Sequence, residues 1–102
     1  MTARALPKRY GHAAGGALAK RAGQALKEGL AVGGIADAKI TSEVVSGTRY
    51  VRLYVTSKKL GKLDHAERQT VVWRIVDKAL DPNELVRISM ILTLTPEEQR
   101  GA

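Results

Sequence analysis

The residues able to do chemistry in this chain are few, and they are easily sorted. His12 and His65 are its only imidazoles, and it has no cysteine. Thiol nucleophiles, disulfides and thiolate metal sites are therefore excluded, and neither histidine has a second ligand at metal-binding spacing. His65 falls at the first position of an expected helix, where a cation would oppose the helix dipole, so a neutral, solvated ring is its expected state. Ser42, Ser46, Ser57 and Ser89 have neither a paired base nor a G-x-S-x-G elbow. The carboxylates Asp64, Glu67, Asp77, Asp81, Glu84, Glu97 and Glu98 are accounted for by helix starts and solvated faces. The glycines form neither a dinucleotide fingerprint nor a Walker loop. Enzymatic activity, a metal and a cofactor are all unexpected on these grounds.

What the sequence does offer is positive charge. Seventeen Lys+Arg stand against ten Asp+Glu, a net charge of +7. The surplus is uneven: residues 1–30 hold six basic side chains and one acidic, whereas residues 31–102 hold eleven and nine. A basic end on a nearly neutral body is attracted to polyanions, most often nucleic acid. Lys8 and Arg9 lie in the first stretch, and Lys20 and Arg21 on the polar face of the helix that follows. Lys58, Lys59 and Lys62 crowd the run KKLGK, which reads as a loop suited to phosphates without base specificity. Tyr50, Arg52 and Tyr54 alternate on one strand, with Arg87 expected on a neighbouring one. Rings stack bases and guanidiniums hold phosphate, the pairing used by sheet surfaces that bind single strands. An ordinary half-exposed strand, where Tyr and Arg are common, accounts for the same residues.

Those side chains must be held by a small domain. At 102 residues and 44% hydrophobic, with no Phe and one Trp, the chain can build one core of small aliphatics. No apolar run approaches the roughly 20 residues of a membrane span and no signal peptide is visible, so a cytoplasmic protein is the expectation. Residues 1–16, with Pro7, Gly11 and Gly15-Gly16, show no sustained period and read as a disordered basic arm. Leu18, Ala22, Ala25, Leu26 and Gly29 then form one helical face, small-sided enough to require close packing. Gly29 and Gly33-Gly34 are expected to stop that helix. Residues 38–57 read as a hairpin turning at Ser46-Gly47-Thr48, with Ile40 and Val44 inward on its first arm and Val51, Leu53 and Val55 on its second. Asp64 with Glu67 makes a capping box for a helix whose buried stripe is Val72, Ile75, Val76 and Ala79. Asp81-Pro82-Asn83-Glu84 starts a single turn of helix. The last strand is expected to bury Ile88, Met90, Leu92 and Leu94 and to expose Ser89, Ile91 and Thr93. Thr95-Pro96-Glu97-Glu98 begins a final helical stub. The resulting fold class is a two-layer α/β sandwich over residues 17–102, α-β-β-α-β-α with a short helical turn before the last strand. Its three-stranded mixed sheet pairs the second and third strands in parallel across a right-handed crossover.

Within that order, several stretches resemble the BolA-like family, whose fold is related to class II KH domains. Val55-Thr56-Ser57 resembles the family's strand end, Leu60-Gly61-Lys62 its F-x-G-K stretch, and Arg68 with Val71-Val72-Trp73 its R-H-R-x-V-Y helix. Thr93 to Glu98 resembles the family's closing residues. The departures lie at the metal ligands: Gln69 and Arg87 stand where the family carries histidines, and the Ser46-Gly47-Thr48 turn offers neither His nor Cys. The resemblance implies a partnership with a monothiol glutaredoxin across a shared [2Fe–2S] cluster. Arg cannot ligate iron and an amide is a poor ligand for a soft cluster, so the usual cluster is not expected. Two functions remain. The first is weak, non-enzymatic nucleic-acid binding of a stress or regulatory type. The second is a protein-interaction adaptor that docks a glutaredoxin-like partner without supplying ligands.

Overall fold

The computed structural model describes the backbone of residues 2–101 and the side chains of residues 16–101. Helix α1 is bounded by Thr2–Val32, and the helix expected from Ala17 lies within it. The arm expected over residues 1–16, with Lys8 and Arg9, falls outside the described side chains except for Gly16. Leu18, Ala19, Ala22, Leu26 and Leu30 are buried along one stripe of α1. The helix stops at a Schellman motif. The Ile35 N–H reaches the Leu30 carbonyl at 2.7 Å, the Gly34 N–H reaches that of Ala31 at 3.0 Å, and Gly34 takes φ +94°. Gly34 is thus the terminating glycine. Gly29, expected to help end the helix, lies inside it, where its bare Cα lets Ile75 of the second long helix approach.

Strands β1 (Lys39–Val44) and β2 (Val51–Thr56) pair antiparallel, with Gly47 at φ +76° in the turn. Val51, Leu53 and Val55 are buried, as their alternation predicts. A 3₁₀ turn (Lys58–Lys62) leads to α2 (His65–Ala79), which starts at the Asp64–Glu67 capping box. A one-turn α3 (Pro82–Leu85) follows its own capping box at Asp81 and Glu84. Strand β3 (Ile88–Leu94) then pairs in parallel with β2, and α4 (Pro96–Gly101) follows. The sheet order is β1-β2-β3, and α1 and α2 cover one face. This is an α/β domain with a three-stranded mixed sheet.

Strand β3 corrects the expected burial. The pairing runs from Val51↔Ile88 directly to Arg52↔Met90, so Ser89 is an extra residue and the side-chain phase flips there. Ile88, Ile91 and Thr93 point into the core, whereas Met90, Leu92 and Leu94 share the open face with Arg52, Tyr54 and Thr56. Helix α2 needs a second correction: Ala79 is exposed, and the stripe extends backward to a buried Arg68 instead.

Candidate nucleic-acid interface

The KKLGK run is an ordered platform rather than a loose loop. At its start, Ser57 is buried and caps the 3₁₀ turn: its Oγ accepts from the Lys59 N–H at 3.1 Å and donates to Asp37 Oδ1 at 2.6 Å. Asp37 Oδ2 accepts the Lys58 N–H at 3.1 Å. The Ser57 hydroxyl bond, seconded by that backbone N–H against partial desolvation, holds the Asp37 carboxyl below its ordinary value, so it stays ionised beside the lysines. In the middle of the turn, Leu60 is fully buried and anchors it to the core.

The far end is clamped by Arg68. Its Nε donates to the carbonyls of Leu60 at 2.9 Å and Leu63 at 3.0 Å, and Nη1 reaches the Thr93 carbonyl at 3.3 Å. Both terminal nitrogens grip Glu98, at 2.7 and 3.3 Å, the two-toothed geometry that a guanidinium favours. That bond, with a second from the Thr95 N–H, lowers the Glu98 carboxyl to about 2. One side chain therefore ties the lysine turn to α2, β3 and α4.

Lys58, Lys59 and Lys62 are exposed on this platform. Lys59 and Lys62 are three residues apart and so lie on one side of a 3₁₀ helix. Lys59 Nζ donates to the Gly34 carbonyl at 3.1 Å, a neutral partner, and its charge is one of those that hold Asp37 ionised.

The other expected contact residues are not assembled with them. Lys20 is exposed on α1, and Arg21 beside it is paired with Glu84, whose carboxyl it lowers. On the open sheet face Arg52 and Tyr54 both turn to Glu43: Arg52 Nη1 lies 3.6 Å from it, and the Tyr54 hydroxyl donates to it at 2.8 Å. That hydrogen bond raises the Tyr54 pKa. Tyr50 lies in the hairpin turn just before β2, and Arg87 one residue before β3, its carbonyl accepting the Val51 N–H at 2.8 Å.

Sequence reasoning named Arg68, Ser57 and Gln69 without giving them these structural roles, and missed Asp37 altogether. Arg68 had a signal, since it stands four residues before Val72 and so continues the buried stripe. Asp37 had none, because its partners are distant in sequence. Gln69 bears directly on the cluster that the resemblance implies. Its Nε2 donates to the Ile91 carbonyl at 2.7 Å and its Oε1 accepts from Trp73 Nε1 at 3.0 Å. A committed amide and a cationic Arg87 do not make an iron site, and among the described residues no three His, Asp or Glu side chains converge. Among them, too, no helix is long and apolar enough to cross a membrane. The chain matches no protein-family model, and no curated protein matches it at a significant level.

Proposed function

We propose that this chain is a non-enzymatic nucleic-acid-binding domain of BolA-like, class II KH-like architecture, gripping phosphates through Lys58, Lys59 and Lys62. The observation that carries the reading is the clamped 3₁₀ turn. Three exposed ammonium groups ride on a backbone fixed at both ends, by Asp37 with Ser57 and by Arg68. Fixing the backbone in advance removes part of the ordering cost of binding. The lysines share one short 3₁₀ turn with no side chain of the amide or aromatic kind that reads a base edge, so they bind phosphates and sequence preference is low. The helix–strand–strand–helix–turn–strand–helix order supports the architectural assignment. The test is an anisotropy titration of labelled single- and double-stranded oligonucleotides at about 50 mM salt, with the Lys58, Lys59 and Lys62 to Ala triple variant alongside. Binding by the wild type that the triple variant largely abolishes supports the reading; no binding to either nucleic acid removes it.

A second reading, an adaptor that docks a glutaredoxin-like protein, is favoured by one observation. The β3 phase flip puts Met90, Leu92 and Leu94 in a row on the open sheet face, with Leu92 39% exposed. A partner covering that row would bury apolar surface without any iron ligand.

A further inference from the structure

On the opposite side of the first hairpin arm, α1 and the edge strand β1 bound a recess of about 450 Å³. Lys20, Gln24 and Lys27 line it from the helix, and Lys39 and Ser42 from the strand. Gly23 also lines it, and a Cβ there would meet only Ile40 Cγ2, at 3.6 Å, an ordinary contact. Lys20 and Lys27 thus flank one hollow from the helix and Lys39 stands at its strand edge, and among the described residues none of the three has a carboxylate within salt-bridge distance. The neighbouring cations Arg21 and Arg52 are both paired. Glu28, the acid next to Lys27 in sequence, is held by Gln24 Nε2 at 3.0 Å. The lining itself carries three basic residues and no acidic one, a balance that attracts an anion.

We infer that this recess is a second phosphate site, taking the sugar–phosphate backbone of a single-stranded nucleic acid. The inference rests on the nucleic-acid reading above and names a surface and strand type beyond it. Lys20 and Lys27 are seven residues apart on α1, roughly 10 Å along the axis, so they meet different phosphates of one strand. A duplex, stiff over about 150 bp, does not fold its backbone into a hollow between a helix and a strand edge, whereas a single strand does. The lining holds no aromatic ring, so bases do not stack there and sequence is not read. Gln24 and Ser42 supply neutral donors for phosphate or sugar oxygens.

The experiment uses the full chain with short fluorescein-labelled oligo(dT), and a duplex of the same length, at about 50 mM salt. Gly23→Glu sets a carboxylate three residues after Lys20 and four before Lys27, in space the recess already provides. It is expected to weaken oligo(dT) binding about tenfold while leaving duplex binding and far-UV circular dichroism nearly unchanged and the melting temperature no lower than that of the wild type. The combined Lys20, Lys27 and Lys39 to Ala variant is expected to make the salt slope for oligo(dT) shallower by about 2, at ~0.7 for each phosphate no longer neutralised. If both variants hold oligo(dT) as tightly as the wild type while the Lys58, Lys59 and Lys62 variant releases it, the recess is refuted and the turn reading stands. Equal weakening of single strand and duplex by Gly23→Glu reduces the effect to net charge and also overturns the inference. A wild type that binds no oligo(dT) overturns the nucleic-acid reading itself.

Discussion

Gly29→Ala sets two opposed effects against each other. Gly in a helix interior costs about 1 kcal/mol relative to Ala, so the substitution would stabilise an uncrowded helix by that amount. Here a Cβ would lie 2.7 Å from Ile75 Cγ2, 2.9 Å from Cγ1 and 3.0 Å from Cδ1. Two of those atoms are bonded directly to the Ile75 Cβ, so no swing of the chain end relieves the clash. A β-branched side chain in a helix has one strongly preferred χ1 rotamer, which closes the other way out. Overpacking of this kind costs about 1–3 kcal/mol. The net expectation is a loss of up to about 2 kcal/mol, or a melting temperature lower by up to about 16 °C in a domain of this size. Thermal and urea unfolding followed by circular dichroism measure it. Ile75→Ala deletes the atoms in conflict, so the double variant should be more stable than the sum of the single changes by at least about 1 kcal/mol. A Gly29→Ala protein more stable than wild type, with no coupling to position 75, would refute the close α1–α2 approach.

Arg68→Lys keeps the charge but replaces the planar fork with a single ammonium group, leaving several of its carbonyl partners short of a donor; a loss of ~2–4 kcal/mol in urea unfolding is expected. The same variant should weaken nucleic-acid binding although no phosphate-binding lysine has changed. Glu98 has an unfolded value of 4.5 and a folded one of about 2, so its contribution to stability is complete above the first and disappears as pH falls toward the second. Melting temperatures of wild type and Glu98→Gln across that window should therefore converge as the pH drops. Gln69→Leu strips the Ile91 carbonyl and the Trp73 indole N–H of their partner and should cost ~1–3 kcal/mol, read in unfolding followed by emission of the single tryptophan.

Much of the fold was legible because local chemistry agreed with the tertiary result. The two capping boxes at Asp64 and Asp81, the alternation of Val51, Leu53 and Val55, and the small-sided stripe of α1 all act within a few residues of themselves. The orientation of β3 was not legible. Ile88, Met90, Leu92 and Leu94 alternate perfectly, and only the pairing with β2 reveals that Ser89 is extra. Its two apolar rows, Met90–Leu92–Leu94 and Ile88–Ile91, compete for the core, and periodicity alone cannot decide between them. At the candidate site, the lysines were visible as a cluster, but their rigidity was not. It comes from Asp37 and Arg68, which reach the turn from elsewhere in the chain. The β3 edge carries a similar long-range feature. Because the Leu94 carbonyl faces β2, those of Ile91 and Thr93 face outward, and Gln69 and Arg68 occupy them. Strand addition at that edge is thereby hindered.

The central claim is that charge on a fixed turn, not base reading, holds the nucleic acid. Its most direct measurement is the affinity of the full chain for a duplex as a function of salt, with and without Lys58, Lys59 and Lys62. The account predicts a linear fall of log affinity against log salt. The slope should become shallower by ~0.9 for each phosphate no longer neutralised, or close to 3 for the triple variant, with little change between duplex sequences. Binding that is insensitive to salt, or a slope that stays the same after the three lysines are removed, would contradict it.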